Sequence, residues 1–457
     1  MSRRSMFMPL LAVLAVGAVA AGCGDDDEGG AQTTAAASET TSMASETTGA
    51  TETTAAPETT VAPETTLGLL PDNGECDDSL APVVLSIETT FESSVLTLIH
   101  QVKAAEAAVE AFNGRGGVGG RCMELMSCDD QADPNIAADC ARSIVESDAV
   151  ASVNDTTTFG DAAVAEIFTA ANYPRVGQSA GTPDLSAPNS YNIGGGSLGT
   201  VFQMIPPLLE AGKTKLAAIH VDAAAFQGAI GLIEAIAGAG GAELVATIPV
   251  PAGTTNYDQF VLAAEDAGAD GVIMALGDKE SVQVLTAAGQ LGTELLFSAS
   301  LGTWSRAAML DLGEMGSQMV FNAEVPPASA PVEQFPAMAQ IIADLSASGE
   351  PELQADTLQS SSLRSWLAVY AFVTVMSATD VDNITRESVT AAFNAATDID
   401  MLGIMNPWTP NQVSPGAFSR ISNPWYYFAT WDGENFVTTD TPTGNILETL
   451  APTGLVG

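Results

Sequence analysis

Residues 177–181 read Gly-Gln-Ser-Ala-Gly, which matches the G-x-S-x-G pattern around the nucleophilic serine of many hydrolases. In those enzymes the serine lies on a tight turn between a strand and a helix, and a histidine later in the chain is the base. Ser179 is instead followed by AGTPDLSAPNSY, whose two prolines argue against a long helix. The two histidines, His100 and His220, lie within a helix pattern and a strand pattern. The sequence therefore favours Ser179 as a ligand contact over Ser179 as a nucleophile.

A second group of hydroxyl side chains lies in the stretch Asn154-Asp155-Thr156-Thr157-Thr158, just before a helix pattern that begins at Gly160. The N-terminus of a helix presents free N–H groups and the positive end of its dipole, which suit an anion such as a carboxylate. The alternative is that Thr158 caps this helix, while a neighbouring hydroxyl still faces a ligand.

Apolar stretches of strand length alternate with apolar-periodic stretches of helix length from residue 82 onward, which predicts βαβ units and parallel sheets. The alternation runs to residue 176 and starts again near residue 198, which predicts two similar lobes. Ligands of such sheets bind beyond the carboxyl ends of the strands. The predicted strands are 82–87, 123–127, 149–153, 175–176, 216–221, 244–249, 271–275 and 295–297, and the predicted helices are 95–112, 135–146, 160–170, 198–210, 226–239, 257–267 and 279–290.

The N-terminus has the features of an export signal. Two arginines precede an apolar run that ends in small residues directly before Cys23, which predicts a signal peptide over residues 1–22. The junction resembles a bacterial lipobox, in which Cys23 is lipidated and anchors the mature protein to the outer face of the cell membrane. The alternative is ordinary cleavage nearby that leaves a free thiol, and the Ser-Arg-Arg start keeps both the general and the twin-arginine export routes open.

Residues 23–70 form a Thr, Ala and Glu-rich segment that has almost nothing apolar to bury, which predicts a disordered tether between the lipid and the folded region. Its threonines are possible sites of glycosylation. The whole chain contains 56 acidic and 14 basic residues, for a net charge of −42. Such a surface repels nucleic acid and anionic lipid headgroups, so we expect no nucleic-acid partner and attachment to the membrane through lipid alone.

Four cysteines, Cys76, Cys122, Cys128 and Cys140, lie early in the folded region. In an exported protein an even set predicts two disulfides, with three possible pairings. A metal site is the alternative, but no C-x-x-C motif and no nearby histidine supports it, and no cofactor motif stands out. Cys76 and Cys122 precede two strands that are expected to lie side by side, and Cys140 follows Cys128 on the next helix. The preferred pairing is therefore Cys76–Cys122 and Cys128–Cys140.

Three stretches, AAVEAFNGRGGVGGR, MELMSCDDQADPNIAADCARSIVESDAVASV and IFTAANYPRVGQSAGTPDL, resemble the Leu/Ile/Val-binding type of periplasmic binding protein, the substrate-binding subunit of an ABC importer. The later TTNYDQFVLAAEDAGADGVIMALG stretch resembles it too, and the resemblance covers about residues 80–440. It implies two Rossmann-like α/β lobes with parallel sheets, joined by three crossovers. The binding domain would span 71–457, with lobe I at about 80–197 plus 325–378 and lobe II at about 198–324 plus 379–450.

The resemblance also implies ligand contacts at the carboxyl ends of the strands. Phe226 occupies the position of a common ligand-packing tyrosine, although core packing is the alternative, and Asp278 is expected to end a strand at the cleft. Ser300 stands where amino-acid-specific members carry a glutamate that pairs with the ligand ammonium, so the ligand of that family should not be transferred. The predicted contacts are Thr89, Thr157, Thr158, Ser179, Ala180, Gly181, Phe226, Asp278 and Ser300.

These features predict a monomeric, non-catalytic lipoprotein that captures a small polar solute and passes it to an ABC permease and ATPase. A sensor with the same fold is the alternative, and a hydrolase that uses Ser179 is the third interpretation.

Overall fold

A computed structural model describes residues 70–456, apart from residues 94, 95, 180, 223, 380 and 381. These residues belong to one compact unit. The predicted signal peptide, Cys23 and nearly all of the predicted tether lie outside them, as does Ala180. Among the helices of this part of the chain, none has the length and apolar character needed to cross a membrane.

Lobe I contains a five-stranded sheet in which every pairing is parallel, with the strand order β2-β1-β3-β4-β5. The helices that alternate with its strands cover the sheet, and a long helix from later in the chain, α11 (Ser360–Ser377), packs against α1. The strands are β1 (Val83–Thr89), β2 (Met123–Asp129), β3 (Ala151–Val153), β4 (Arg175–Val176) and β5 (Ser190–Tyr191), and the alternating helices are α1 (Ile99–Asn113), α2 (Pro134–Glu146) and α3 (Asp161–Ala170).

Lobe II contains the larger sheet, with the strand order β12-β11-β10-β9-β8-β6-β7 and with β13 paired to β11. Strands β6 to β10 are parallel, whereas β11 and β12 are antiparallel. The strands are β6 (Lys215–Val221), β7 (Glu243–Val250), β8 (Gly271–Ala275), β9 (Leu296–Ser300), β10 (Met319–Ala323), β11 (Trp425–Trp431), β12 (Phe436–Thr438) and β13 (Gly444–Asn445). The helices are α4 (Gly196–Phe202), α5 (Ile205–Glu210), α6 (Ala224–Ala239), α7 (Asp258–Asp266), α8 (Asp278–Leu291), α9 (Arg306–Leu312) and α13 (Ile446–Leu450).

The remaining helices follow the second passage of the chain between the lobes, and they are α10 (Ala337–Ala347), α11 (Ser360–Ser377) and α12 (Arg386–Ala395). We expected the chain to return to lobe II at about residue 379, but α12 packs on lobe I. The Arg386 guanidinium donates to the carbonyls of Val145, Ser147 and Ala149, and Phe393 packs on Tyr191. The chain re-enters lobe II at β11.

The predicted α/β architecture with two mainly parallel sheets is confirmed, and most elements begin and end within a few residues of their predicted positions. One predicted helix, 198–210, is two helices, α4 and α5. Pro206 and Pro207 lie in the first turn of α5, where a missing N–H is tolerated, but they could not continue a helix that began earlier.

The structure contains two disulfides with the preferred pairing, Cys76–Cys122 and Cys128–Cys140. The Val83 N–H at the start of β1 donates to the carbonyl of Cys122, just before β2. The first disulfide therefore lies at the starts of two adjacent parallel strands. The second joins β2 to α2, the helix that packs on it.

Candidate functional site

The carboxyl ends of the parallel strands in both sheets carry the loops that form a cleft between the lobes. On lobe I these loops follow β1, β3 and β4, and on lobe II they follow β8 and β9. Contacts between the two sides include the following two. The Ser361 hydroxyl at the start of α11 donates to the Gly302 carbonyl of lobe II (2.6 Å), and the exposed side chains of Lys279 and Glu92 approach to 4.0 Å.

Most of the lobe I hydroxyls that were predicted to contact a ligand make hydrogen bonds within the protein. Thr89 Oγ1 donates to the carbonyl of Thr156 (3.1 Å), and Thr157 Oγ1 donates to Glu88 Oε2. Both threonines are buried. The side chain of Thr158 is exposed, and it does not cap α3, because Gly160 occupies the N-cap with φ +85° and no side-chain capping bond. Within the 154–158 loop, Thr158 is therefore the hydroxyl with access to a ligand.

Ser179 lies on a turn that is held against the neighbouring loop. Its N–H donates to the Asp155 carbonyl (2.8 Å), and its side chain is 7% exposed. The Gly181 N–H reaches Asp184 Oδ2 (3.3 Å). No α-helix follows at once, since the next element is a short 3-10 turn over Pro183–Leu185, so the strand-serine-helix geometry of a hydrolase is absent from this described segment.

Neither histidine is hydrogen-bonded to Ser179 as a catalytic base would be. His100 Nε2 pairs with Ser361 Oγ (2.8 Å), and burial lowers the pKa of His100 to about 4. His220 Nδ1 contacts the Val221 carbonyl (2.7 Å). The His220 ring stacks on Phe226, with centroids 3.8 Å apart, and Phe226 is buried in the core of lobe II. Phe226 is therefore packed in the core of lobe II, and its predicted contact with a ligand stays a prediction.

Asp278 begins α8 and does not end β8, which stops at Ala275. Its side chain is partly exposed, and it lines a cavity of about 290 Å³ at the start of α11. The other lining residues are Lys279, Val282, Gln283, Thr303, Trp304, Ala308 and Gln359. Ser300 ends β9 beside this cavity, where its Oγ accepts from the Gly302 N–H (3.3 Å) as the cap of a short 3-10 turn.

A network that the sequence did not reveal joins the two sides at the base of the cleft. Arg364 on α11 bonds to Glu324 Oε2 (2.7 Å), just after β10, and to Asn154 Oδ1 (2.8 Å), just after β3. Asn154 Nδ2 in turn donates to Ser365 Oγ (2.6 Å). A Cβ added to Gly194, on the first crossover, would lie 1.8 Å from Glu324 Oε1. The network therefore connects two crossovers to the loop that carries Thr158.

Beneath the lobe I loops lies a buried ionic cluster. Arg175 bonds to Asp155 Oδ2 (3.0 Å) and to Asp184 Oδ1 (2.6 Å), and its guanidinium covers the Phe168 ring at 4.9 Å. Burial opposes the charge of Arg175, yet Asp184 and Asp155 hold its pKa above the usual value. The cluster connects the loop after β3 to the Ser179 loop, and so it fixes both candidate ligand loops of lobe I.

The described residues contain no group of three or more His, Cys, Asp or Glu side chains that could hold a metal ion. Taken together, the two lobes and the cleft define a two-lobed α/β binding protein. The family model described as periplasmic binding protein matches residues 95–435, and the chain belongs to this family. The family consists of substrate-binding proteins of transporters and not of enzymes. Together with the two disulfides, membership indicates an extracytoplasmic location.

Solved structures with the same fold include proteins from several bacteria. A fatty acid ABC transporter substrate-binding protein from Thermomonospora curvata aligns with a TM-score of 0.67 and 17% identity, over 84% of this chain and 96% of that one. A substrate-binding periplasmic protein from Ralstonia solanacearum gives 0.65 and 16%, over 78% and 100%. An ABC transporter substrate-binding protein from Desulfitobacterium hafniense in complex with Leu gives 0.59 and 16%, over 79% and 100%. No curated protein sequence matches the chain. At these identities the likeness shows the fold alone.

Proposed function

We propose that this protein captures a small polar solute, of the amino acid, amide or carboxylate type, between its lobes and delivers it to an ABC permease and ATPase. The observation that carries the proposal is the meeting of the carboxyl ends of two parallel sheets across a cleft, because ligands of such sheets bind there. A solute that contacts both lobes binds the closed form better than the open form, and so it shifts the equilibrium between them. The protein works as a monomer and breaks no bond of its ligand.

Thr158 supplies an accessible hydroxyl on lobe I, Ser179 and Gly181 lie on the adjoining turn as further lobe I contacts, and Asp278 supplies the lobe II contact. Ser300 supports this division, because its hydroxyl is engaged locally and it carries no charge. Asp278 and Trp304 line the same cavity, so the Asp278 carboxylate is placed to meet a cationic or donor group of a solute whose remainder is apolar.

The direct test is a thermal-shift screen of the whole protein with amino acids, amides, short carboxylates, polyamines, aromatic acids and sugars. A ligand at a hundred times its dissociation constant stabilises the folded state by about 2.7 kcal/mol, which shifts the melting temperature by several degrees. A shift with a zwitterionic amino acid supports the role of Asp278, and a shift with only carboxylates or neutral amides assigns the ligand to those classes. Shifts confined to sugars or polyamines would contradict the proposed solute class.

With the solute in hand, Asp278→Asn should weaken binding at least tenfold if the ligand is cationic at that end. A tenfold loss corresponds to about 1.4 kcal/mol, which is within reach of titration calorimetry. Asp258→Asn is the matched control, because Asp258 also begins a lobe II helix but lies outside the cavity. An affinity that Asp278→Asn leaves unchanged would remove Asp278 from the site.

We further propose that the mature chain begins at lipidated Cys23 and that residues 24–70 tether the binding domain to the outer face of the membrane. Replacing Cys23 with serine should release the exported protein into the medium or periplasm. Mass spectrometry of the N-terminal peptide should show a diacylglyceryl group in the unaltered protein. An unmodified N-terminal peptide would contradict the anchor.

A further inference from the structure

Glu88 is a fully buried glutamate near the end of β1, directly beneath the lobe I side of the cleft. Its Oε2 accepts from the Thr157 hydroxyl, and its N–H donates to Asp155 Oδ1 (2.9 Å). Its other carboxyl oxygen, Oε1, is buried and receives no hydrogen bond. A carboxylate in this position would leave one of its two charged oxygens unsatisfied, which is costly away from water.

Asp130 follows β2 and is also fully buried. Its Oδ1 accepts from Thr90 Oγ1 (2.5 Å) and from the Ala132 N–H (2.8 Å), whereas its Oδ2 has no donor. The side chains of Glu88 and Asp130 interact, and each has one buried oxygen without a hydrogen-bond partner. Two carboxylates can only accept hydrogen bonds, so this approach is repulsive when both are ionised and attractive when they hold one proton between them.

The charges around Glu88 favour its neutral form. Asp130 faces it from the loop after β2, Asp155 from the loop after β3 and Arg175 from β4. Arg175 is already bonded to Asp155 and Asp184, so its positive charge is shared by two other carboxylates. Burial, and next the charge of Asp155, raise the pKa of Glu88 well above its usual value. The Thr157 hydrogen bond opposes them, and Asp130 raises and Arg175 lowers the pKa by smaller amounts. Burial also raises the pKa of Asp130.

We propose that Glu88 is a positioning residue that stays protonated at neutral pH and shares its proton with Asp130. One neutral carboxyl group then fixes three loops together: the loop after β1 through the Asp130–Thr90 bond, the loop after β2 through Asp130 itself, and the loop after β3 through Thr157. The proton sharing does not depend on the proposed function, but its consequence does. The shared proton removes one negative charge from beneath the 154–158 loop. That loop belongs to the lobe I side of the proposed site, where a solute carboxylate would otherwise be repelled.

The sign of the pH effect follows from the raised pKa. The folded state retains a proton on Glu88 that the unfolded chain releases above pH 4.5, so this contribution to stability is complete below that pH. It is lost progressively as the pH rises toward the folded-state pKa. Over this interval the unfolding equilibrium constant should rise by up to about tenfold per pH unit from this group alone.

The experiment compares denaturant unfolding of the whole protein and its Glu88→Gln variant from about pH 5 to about pH 8. Glutamine keeps a donor for Asp130 and an acceptor for Thr157 but cannot titrate. It should therefore be close to the unaltered protein in stability at the acid end of this range. Toward neutral pH it should become the more stable of the two, because it lacks the falling limb of the pH profile. Glu124→Gln is the matched control on the exposed face of the neighbouring strand β2, and its profile should follow that of the unaltered protein.

Glu88→Met separates the hydrogen bonds from packing, since it keeps most of the volume and supplies no polar atom. It should be less stable than the Glu88→Gln variant at every pH, because it lacks both hydrogen bonds. Parallel profiles for Glu88→Gln and the unaltered protein would overturn the proposal. So would a glutamine variant that is as unstable as the methionine variant at neutral pH.

A second measurement needs no variant. Infrared spectra of the unaltered protein in D₂O at neutral pH should contain a protonated-carboxyl C=O band that shifts on ¹³C labelling of glutamate. Absence of a glutamate band would show that Glu88 is ionised and would overturn the proposal even if the variants do not fold. Failure of the solute screen would leave this band unaffected, so the two proposals fail separately.

Discussion

Replacing Arg175 with methionine should lower the free energy of unfolding by about 3–5 kcal/mol at neutral pH. The Arg175 side chain is 1% exposed, and it is paired with Asp155 and Asp184, whose side chains are 0% and 2% exposed. Methionine fills much of the space over Phe168 but leaves two buried carboxylates without their cation. The penalty comes from that uncompensated charge and not from lost volume. Urea unfolding monitored by tryptophan fluorescence gives the free energy directly.

Arg142→Met is the matched control. Arg142 pairs with Asp139 on α2 at 2.5 Å, but the two side chains are 54% and 73% exposed, and such pairs contribute at most about 1 kcal/mol. In the Arg175 variant, burial without a nearby cation should raise the pKa of Asp155 further than in the unaltered protein. The difference in stability between variant and unaltered protein should therefore shrink as the pH is lowered and the carboxyls protonate. Equal losses for the two arginine variants would show that the buried cluster contributes no more than a surface pair.

Removing the Cys76–Cys122 disulfide should cost more stability than removing Cys128–Cys140. The bridges close loops with sequence separations of 46 and 12 residues, and in the chain-entropy model these correspond to about 4 and about 3 kcal/mol. The Cys76–Cys122 bridge also joins the starts of β1 and β2, so its loss should free the N-terminal segment before Val83. The measurement is the unfolding free energy of the two double Cys→Ala variants.

The matching control is the unaltered protein unfolded with and without a reductant, which should reproduce the sum of the two losses if the bridges are independent. A larger loss for Cys128–Cys140 would mean that native packing between β2 and α2, and not loop length, dominates. A map that joins Cys76 to Cys128 or Cys140 would contradict both the structure and the prediction.

The alternation of strand and helix patterns located the elements well because each element buries one periodic face, and that periodicity is local in the chain. It failed where two prolines divided 198–210 and where α12 attached to lobe I. The second failure has a physical cause. Helix α12 is amphipathic, and its sequence shows that it has a buried face without showing which lobe covers that face.

The predicted ligand contacts stay predictions, but the structure shows what the side chains of several of them bond to. Thr89, Thr157 and Ser300 have suitable chemistry and lie at the carboxyl ends of strands, yet their hydroxyls are used within the protein. A hydroxyl near a cleft can bond inward as readily as outward, and only the positions of its neighbours decide between the two. Phe226 illustrates the same limit, since a buried aromatic ring at a helix start fits a ligand wall and a core equally well in sequence.

The sequence by itself predicted the two-lobed α/β class and the loops at the carboxyl ends of the strands, because these follow from patterns with short periods. It favoured one of three cysteine pairings, and the structure contains that one. The tertiary structure alone decided the chemistry at the base of the cleft. The Arg364–Asn154 bond joins residues 210 positions apart, and the contacts of Glu88 with Asp130 and Thr157 depend on three strands lying side by side. Such contacts depend on burial and on the distance between side chains, and neither can be deduced from the order of residues along the chain.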